Sequence, residues 1–359
     1  MKAILIFCLF CTTTLLSSAQ TLTTLYSFDG GAHGSVPYGA LIQGTNGSLY
    51  GTTNGSEAPA NGDGTVYKIS NSGKLKTLHS FCSQAECADG NEAVAGLVQD
   101  TNGTFYGTTT YGGANGYGTV FKITAGGVLT TLYSFCSGAG CPDGESPDGT
   151  LIQATDGNLY GTTYSGGAYG HGTVYKITTS GTLTTLYSFC AQNGCADGAN
   201  PTAGVIQATD GNFYGETDFG GVDGQGSLFK INSTGTLTTL YSFCSQPDCA
   251  DGSEPVAGLV QASDGNLYGT TTGFGGGTTP YGTVFKITLT GTLTTLHSFD
   301  VTDGTNPEAP LIQATDGNFY GTTYQHGASP DGGTIFQITS GGTCKRRSKN
   351  RPRHAALTG

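Results

Sequence analysis

The stretch that decides the fold is Thr150-Leu151-Ile152-Gln153-Ala154-Thr155-Asp156-Gly157-Asn158-Leu159-Tyr160-Gly161-Thr162-Thr163, with Gly172-Thr173-Val174-Tyr175-Lys176-Ile177 and Leu183-Thr184-Thr185-Leu186-Tyr187-Ser188-Phe189 after it. Alternation of apolar and polar residues and enrichment in β-branched types mark four short strands. Asp156-Gly157 is a hairpin signal between the first two. A type I′ turn, with positive φ at both central residues, is the turn expected there. A glycine-rich loop separates the second strand from the third, and Ser180-Gly181 turns the chain into the fourth.

Moving outward, the unit recurs. Its marker, Leu/Phe-Tyr-Gly, stands at Tyr50, Tyr106, Tyr160, Tyr214, Tyr268 and Tyr320, spaced by 56, 54, 54, 54 and 52 residues. Asp-Gly or Asn-Gly precedes each marker, at 46–47, 102–103, 156–157, 210–211, 264–265 and 316–317. Four antiparallel strands in a unit of this length, repeated six times, is the sequence form of an all-β, six-bladed β-propeller. A lone blade could not bury its aromatic face, so neighbours must cover each other. The chain opens with a fourth-type strand, Leu22-Thr23-Thr24-Leu25-Tyr26-Ser27-Phe28, and its last clear strand, Gly333 to Ile338, is third-type. The N-terminal strand is therefore expected to close the ring as the outer strand of the sixth blade.

Composition agrees. With 61 Gly among 359 residues and only 11% charged, helices are disfavoured. Glycine does not recur every third residue, which excludes collagen. The 19 Tyr and 17 Phe are enough to build a core.

Residues 1–19 read as a signal peptide: Lys2, an apolar run from Ala3 to Leu16, and small residues Ser17-Ser18-Ala19 before the cut. That run is short for a membrane span and no second one follows. Cys8 and Cys11 are passengers in it. The expected product is a secreted, periplasmic or cell-surface protein without a transmembrane anchor, and a monomer. The expected boundaries are 1–19 signal peptide, 20–343 propeller and 344–359 a basic, disordered tail. All 25 acidic residues but only seven of the 14 basic ones lie between Gln20 and Thr343, so the body repels nucleic acid. Lys345, Arg346, Arg347, Lys349, Arg351 and Arg353 make the tail basic.

The pattern Leu-Ile-Gln-Ala-x-Asp-Gly-Asn-Leu-Tyr-Gly-Thr-Thr, glycine-rich loop, Gly-Thr-Val-Phe-Lys-Ile, Leu-Thr-Thr-Leu-Tyr-Ser-Phe resembles the tandem repeat of the bacterial choice-of-anchor GloVer-repeat proteins. It spans about residues 21 to 340. The resemblance implies an exported bacterial protein that is usually joined to a variable C-terminal anchor. The tail after Gly342 has no hydrophobic span and departs from that picture.

Eight cysteines repeat as Cys-x4-Cys: Cys82/Cys87, Cys136/Cys141, Cys190/Cys195 and Cys244/Cys249. Export and short spacing favour four local disulfides over metal sites, since no histidine repeats beside the pairs. Cys344 is left as a free thiol. No cofactor and no metal is expected. The repeated Gln43, Gln99, Gln153, Gln207, Gln261 and Gln313 either ring a central channel or bond between blades, with the second favoured. The repeated Asp89, Asp143, Asp197, Asp251 and Asp303 are read as turn caps rather than calcium ligands.

Residues that break the repeat carry the functional candidates. Glu216 and Asp218 in the fourth unit, with His171 in the third, could act as acid and base; drift in a surface loop explains the same residues. No nucleophile elbow or metalloprotease motif is present. Tyr111, Tyr117, Tyr164, Tyr169, Phe219, Phe274, Tyr281 and Tyr324 lie in the glycine-rich loops, where rings either stack on sugars and protein surfaces or cover blade edges. In a propeller the loops between blades and those joining second to third strands emerge on one face, so the expectation is a non-catalytic binding or scaffold propeller that takes an extracellular glycan or a cell-surface protein on this disulfide-loop face. The alternative is a propeller hydrolase or lyase using the fourth-blade carboxylates on a carbohydrate or related substrate.

Overall fold

The computed structural model describes residues 23–31, 33–55, 63–273, 281–327, 329 and 332–345. The expected signal segment, Leu22, Phe274 and the basic residues past Lys345 lie outside the described residues. The first blade holds β1 (Ile42–Gln43), β2 (Leu49–Thr53), β3 (Thr65–Ile69) and β4 (Leu75–Ser80). The second holds β5 (Val98–Gln99), β6 (Phe105–Thr109), β7 (Thr119–Ile123) and β8 (Leu129–Ser134), and the third β9 (Ile152–Gln153), β10 (Leu159–Thr163), β11 (Thr173–Ile177) and β12 (Leu183–Ser188). The fourth follows with β13 (Ile206–Gln207), β14 (Phe213–Thr217), β15 (Ser227–Ile231) and β16 (Leu237–Ser242). The fifth is β17 (Val260–Gln261), β18 (Leu267–Thr271), β19 (Thr283–Ile287) and β20 (Leu293–Ser298). The sixth is β21 (Ile312–Gln313), β22 (Phe319–Thr323), β23 (Thr334–Ile338) and β24 (Cys344–Lys345). Each blade is a four-stranded antiparallel sheet in sequence order, and the six form a ring, a six-bladed β-propeller.

Local chemistry explains the marker. The tyrosine of Leu/Phe-Tyr-Gly reaches back to its own turn: Tyr160 Oη donates to Asp156 Oδ2 at 2.9 Å, and Tyr214 and Tyr268 do the same to Asp210 and Asp264 at 2.8 Å. The glycine admits the third-strand ring across the ladder, since a Cβ at Gly161 would lie 2.6 Å from Tyr175 Oη and one at Gly215 2.5 Å from Phe229 Cζ. The turn itself differs from expectation. Gly157 has φ of 80° but Asp156 is not left-handed, and Gly157 N donates to Ala154 O at 2.9 Å. This is the three-residue loop, a type I turn closed by a left-handed glycine, and not type I′. Asp156 stays right-handed because its carboxylate there accepts the Asn158 N–H at 3.0 Å.

Five apolar clusters, each spanning two neighbouring blades, make the core among the described residues. In the fourth-to-fifth contact, Phe243 packs edge-on to Tyr241 and Phe285 with centroids 5.5 and 5.3 Å apart. The repeated glutamines tie blades together: Gln207 Oε1 accepts from Thr155 N and Gln261 Oε1 from Thr209 N, both at 2.9 Å, while their amides donate to Gly211 O and Gly265 O. The between-blade role is the one the structure has.

The outer strand of the sixth blade comes from Cys344–Lys345, which pairs with Ile338 and Gln337, and not from the N-terminus. Residues 23–28 form no ladder. They still stand against the first blade as a preceding outer strand would. Phe28 meets Tyr67 edge-on at 5.2 Å, as Phe81 meets Phe121 at the next seam. The physical reason is competition, because a C-terminal segment one tight turn away from β23 loses less entropy on pairing than one at the far end of the chain. The seam between the sixth and first blades is correspondingly bare. Ile335 is 78% exposed where its counterparts Val66, Val120, Val174 and Val284 are fully buried, and Leu41 is 52% exposed where Leu151 is 1%.

Candidate functional site

Loops joining second to third strands and those joining one blade to the next meet on one face. Isolated bridges link them, Asn91 to Tyr111, Glu145 to Ser165 and Ala199 to Phe219. Backbone bonds join the glycine-rich loops to the cysteine loops: Gly113 N donates to Cys87 O, Gly167 N to Cys141 O and Gly221 N to Cys195 O. Disulfides bridge Cys82–Cys87, Cys136–Cys141, Cys190–Cys195 and Cys244–Cys249. All eight cysteines have left-handed backbone, with φ between 49° and 64°, a region that side chains other than glycine rarely enter. Behind each bridge the repeated aspartate caps the turn. Asp197 accepts Ala191 N and Gln192 N at 3.0 Å and the Tyr187 hydroxyl at 2.8 Å. His79 and His297 replace that tyrosine in two blades, at 2.9 and 2.7 Å from Asp89 and Asp303.

Replacing both Cys190 and Cys195 by serine is expected to lower the unfolding free energy by about 2 kcal/mol, the small value that suits so short a loop. Urea titration measures it. Equal stability of the variant and the parent, with equal resistance of that loop to protease, would show that the bridge constrains nothing.

His171 lies beside Cys190–Cys195, as Asp63 lies beside Cys82–Cys87 and Glu145 beside Cys136–Cys141, with the ligand-type atoms of each group within 4.8 Å of one another. Sulfurs bonded to each other offer no thiolate to a cation.

At the middle of this face a cavity of about 960 Å³ opens, lined by segments from all six blades. Its polar and aromatic lining includes Tyr38, Asp148, Thr150, Thr202, Glu308 and Tyr324. Asp148 Oδ1 accepts the Thr110 hydroxyl at 2.7 Å; burial, and then the charge of Glu92, raise its carboxyl above the usual range against that bond. Burial and Asp63 raise Glu92, and burial raises Glu308. Asp218, at the end of β14, is pushed up to about 6 by burial and by Glu254. Tyr164 is raised by burial and by the charges of Asp218 and Asp148.

The sequence candidates separate. Glu216 is fully buried inside the seam between the fourth and fifth blades. Its Oε2 accepts Gly258 N at 2.9 Å, Oε1 has no partner, and burial pushes the carboxyl up to about 8. In other blades a threonine holds this place, and in three of them it donates to the next blade: Thr52 to Ala95 O at 2.8 Å, and Thr162 to Ala203 O and Thr270 to Pro307 O, both at 2.9 Å. No hydrogen bond or ion pair joins Glu216 to Asp218 or His171 among the described residues. Asp218 and His171 are linked through Asn200: its carbonyl accepts Asp218 N at 3.1 Å, its N–H donates to His171 O at 2.8 Å, and its side-chain oxygen stands 3.4 Å from His171 Nδ1. Tyr111, Tyr117, Tyr169, Phe219 and Tyr324 are exposed by 44 to 66%, while Tyr164 and Tyr281 are half-buried.

Asn200, Glu254, Asp148 and Tyr38 were not singled out from the sequence. The signal was present in register. Val36, Glu92, Ser146, Asn200, Glu254 and Asn306 share one repeat position, and Tyr38, Val94, Asp148, Thr202, Val256 and Glu308 another. Both vary within a constant frame, which is how a ring of equivalent loops acquires distinct groups at its mouth.

Among solved structures, the fold is similar to that of a candidate 6-phosphogluconolactonase from Bacteroides uniformis, at 14% identity and a TM-score of 0.54 over 85% of this chain and 82% of that one. It is also similar to a gluconolactonase from Xanthomonas campestris (14%, TM-score 0.46, 81% and 84%) and to a PQQ-bound aldose sugar dehydrogenase from Streptomyces coelicolor (13%, TM-score 0.48, 85% and 95%). At such identities the likeness is one of fold alone. No curated protein matches the sequence. The Gloeobacter/Verrucomicrobia repeat matches residues 57–273 and 245–353, and the chain belongs to that repeat family.

Proposed function

We propose that this propeller is an exported, non-catalytic binding module that takes an extracellular glycan on its disulfide-loop face. The observation that supports it is the exposure of Tyr111, Tyr117, Tyr169 and Phe219 on loops that bond to the disulfide loops, with Tyr324 exposed on the sixth blade's loop, where Gly327 N donates to Val301 O. Rings on rigid loops can stack on pyranose faces at little entropic cost. Half-buried Tyr164 and Tyr281 belong to the same surface as supports. Export rests on the signal segment and on the disulfides. No helix among the described residues is long and apolar enough to cross a membrane. Glycan-array screening followed by calorimetry tests the reading. Tyr324→Ala and Tyr111→Ala should each weaken binding about threefold to tenfold, the effect of ~0.5–1.5 kcal/mol per stacked ring. Unchanged affinity in both variants would remove these rings from the site.

A second reading, a hydrolase or lyase on a carbohydrate, is favoured by one observation, the raised carboxyl of Asp218 beside Glu254 and Tyr164. It rests on Asp218 rather than on Glu216, whose carboxyl is walled off from the face. Turnover lost in Asp218→Asn with binding retained would select it.

A further inference from the structure

The lysines of the propeller are all at one end. Lys68, Lys122, Lys176, Lys230 and Lys286 stand opposite Tyr50, Tyr106, Tyr160, Tyr214 and Tyr268 across the second-to-third strand ladders, next to the Asp-Gly turns. Lys230 Nζ is 2.9 Å from Asp210 Oδ2 there. Lys76 pairs with Lys68, and Lys74 lies in the turn before it. At the opposite end, the disulfide-loop face presents Asp63, Glu92, Asp148, Asp218, Glu254 and Glu308 with no lysine or arginine among the described residues. Carboxylates there face one another: Glu92 feels Asp63, Asp148 feels Glu92, and Asp218 feels Glu254. Among the described residues, the acid-to-base pairs near this face are His79 with Asp89, behind a cysteine loop, and His297 with Asp303, in the loop that has no cysteine pair.

The aromatic rings share that field. Tyr38 and Tyr324 line the same cavity as Asp148 and Glu308, and Tyr164 lies within reach of the charges of Asp148 and Asp218. A flat ring beside uncompensated carboxylates favours a ligand with a sugar-like face and a positive charge. The ring quadrupole and the carboxylates both attract an ammonium group, and the summed negative potential repels a uronate. A basic peptide supplies charge, but a lysine side chain offers the rings no flat face to stack on.

We infer that the disulfide-loop face selects glycans that carry free amino groups, and discriminates against acidic polysaccharides. The inference rests on the glycan-binding reading proposed above and names its ligand class.

The test compares four probes of equal length on the full chain: glucosamine oligomers, N-acetylglucosamine oligomers, galacturonate oligomers and oligolysine, at one mildly acid pH. The glucosamine oligomer should bind about tenfold tighter than the neutral one, with the galacturonate oligomer not binding. The advantage should fall to within about threefold in molar salt, where screening acts over only ~3 Å. Asp148→Asn combined with Glu308→Gln should narrow the amino-sugar advantage from about tenfold to within about threefold, whereas Tyr324→Ala should weaken both oligomers alike. Neutral and amino oligomers binding alike, galacturonate binding as tightly, or an advantage that survives in the carboxamide variant would each overturn the inference while leaving the binding module in place. Oligolysine binding more tightly than glucosamine would assign the face to basic peptides. If no glycan binds, both readings fall together.

Discussion

Glu216→Thr flattens the alkaline side of the propeller's stability profile: between about pH 5 and about pH 9 the parent should lose ~4 kcal/mol that the variant keeps. The carboxyl has an ordinary value of 4.5 and is pushed up to about 8 in the folded protein by burial. Below 4.5 it is neutral in both states and contributes nothing to the pH dependence. As pH rises from 4.5 towards 8, the unfolded chain releases a proton that the folded chain retains, so stability falls, and above 8 the loss is complete. Threonine removes the titration and restores the repeat's own contact, a hydroxyl donating to the neighbouring blade as Thr162 does to Ala203 O. The measurement is denaturant unfolding across pH for both proteins. Parallel profiles would mean that Glu216 is ionised and solvated in the folded state, and the account of the fourth-to-fifth seam would be wrong.

Phe243→Ala should cost ~3–5 kcal/mol, and Ile335→Ala within ~0.5 kcal/mol of nothing. Phe243 is fully buried between Tyr241 and Phe285, so truncation loses apolar burial and leaves a cavity in a close-packed seam. Ile335 occupies the position of fully buried Val174 and Val284 but is 78% exposed, so truncation there removes little from a packed environment. Urea midpoints at constant slope read both. A loss of ~2–5 kcal/mol for Ile335→Ala, the range for a buried isoleucine, would show that the first blade covers this face in solution.

The blades were legible because their determinants are short-range. The Leu/Phe-Tyr-Gly marker, the Asp-Gly turn and the Cys-x4-Cys loop each act within a few residues, through a tyrosine hydroxyl, one left-handed glycine or one disulfide. The turn type was misread for a local reason too, since Asp-Gly suits both two- and three-residue loops and the side-chain bond from Asp156 to Asn158 N selects the longer one. The site was legible only in part. Exposed rings were in the expected loops, but Glu216 and Asp218, two residues apart, have unlike surroundings, and Asn200 was passed over because an isolated asparagine has no motif.

The sequence by itself determined six repeated four-stranded units, their antiparallel order, the four disulfides and the face on which the variable loops gather. Only the tertiary structure decided that Cys344–Lys345 and not the N-terminus supplies the last outer strand, that Glu216 is sealed between blades, and that no lysine among the described residues stands with the carboxylates of the disulfide-loop face. Strand and turn preferences are set by neighbours in the chain, whereas burial and electrostatic field are set by groups of other blades, as Gly258 stands against Glu216, and the partner of β23 is set by competition between the two ends of the chain.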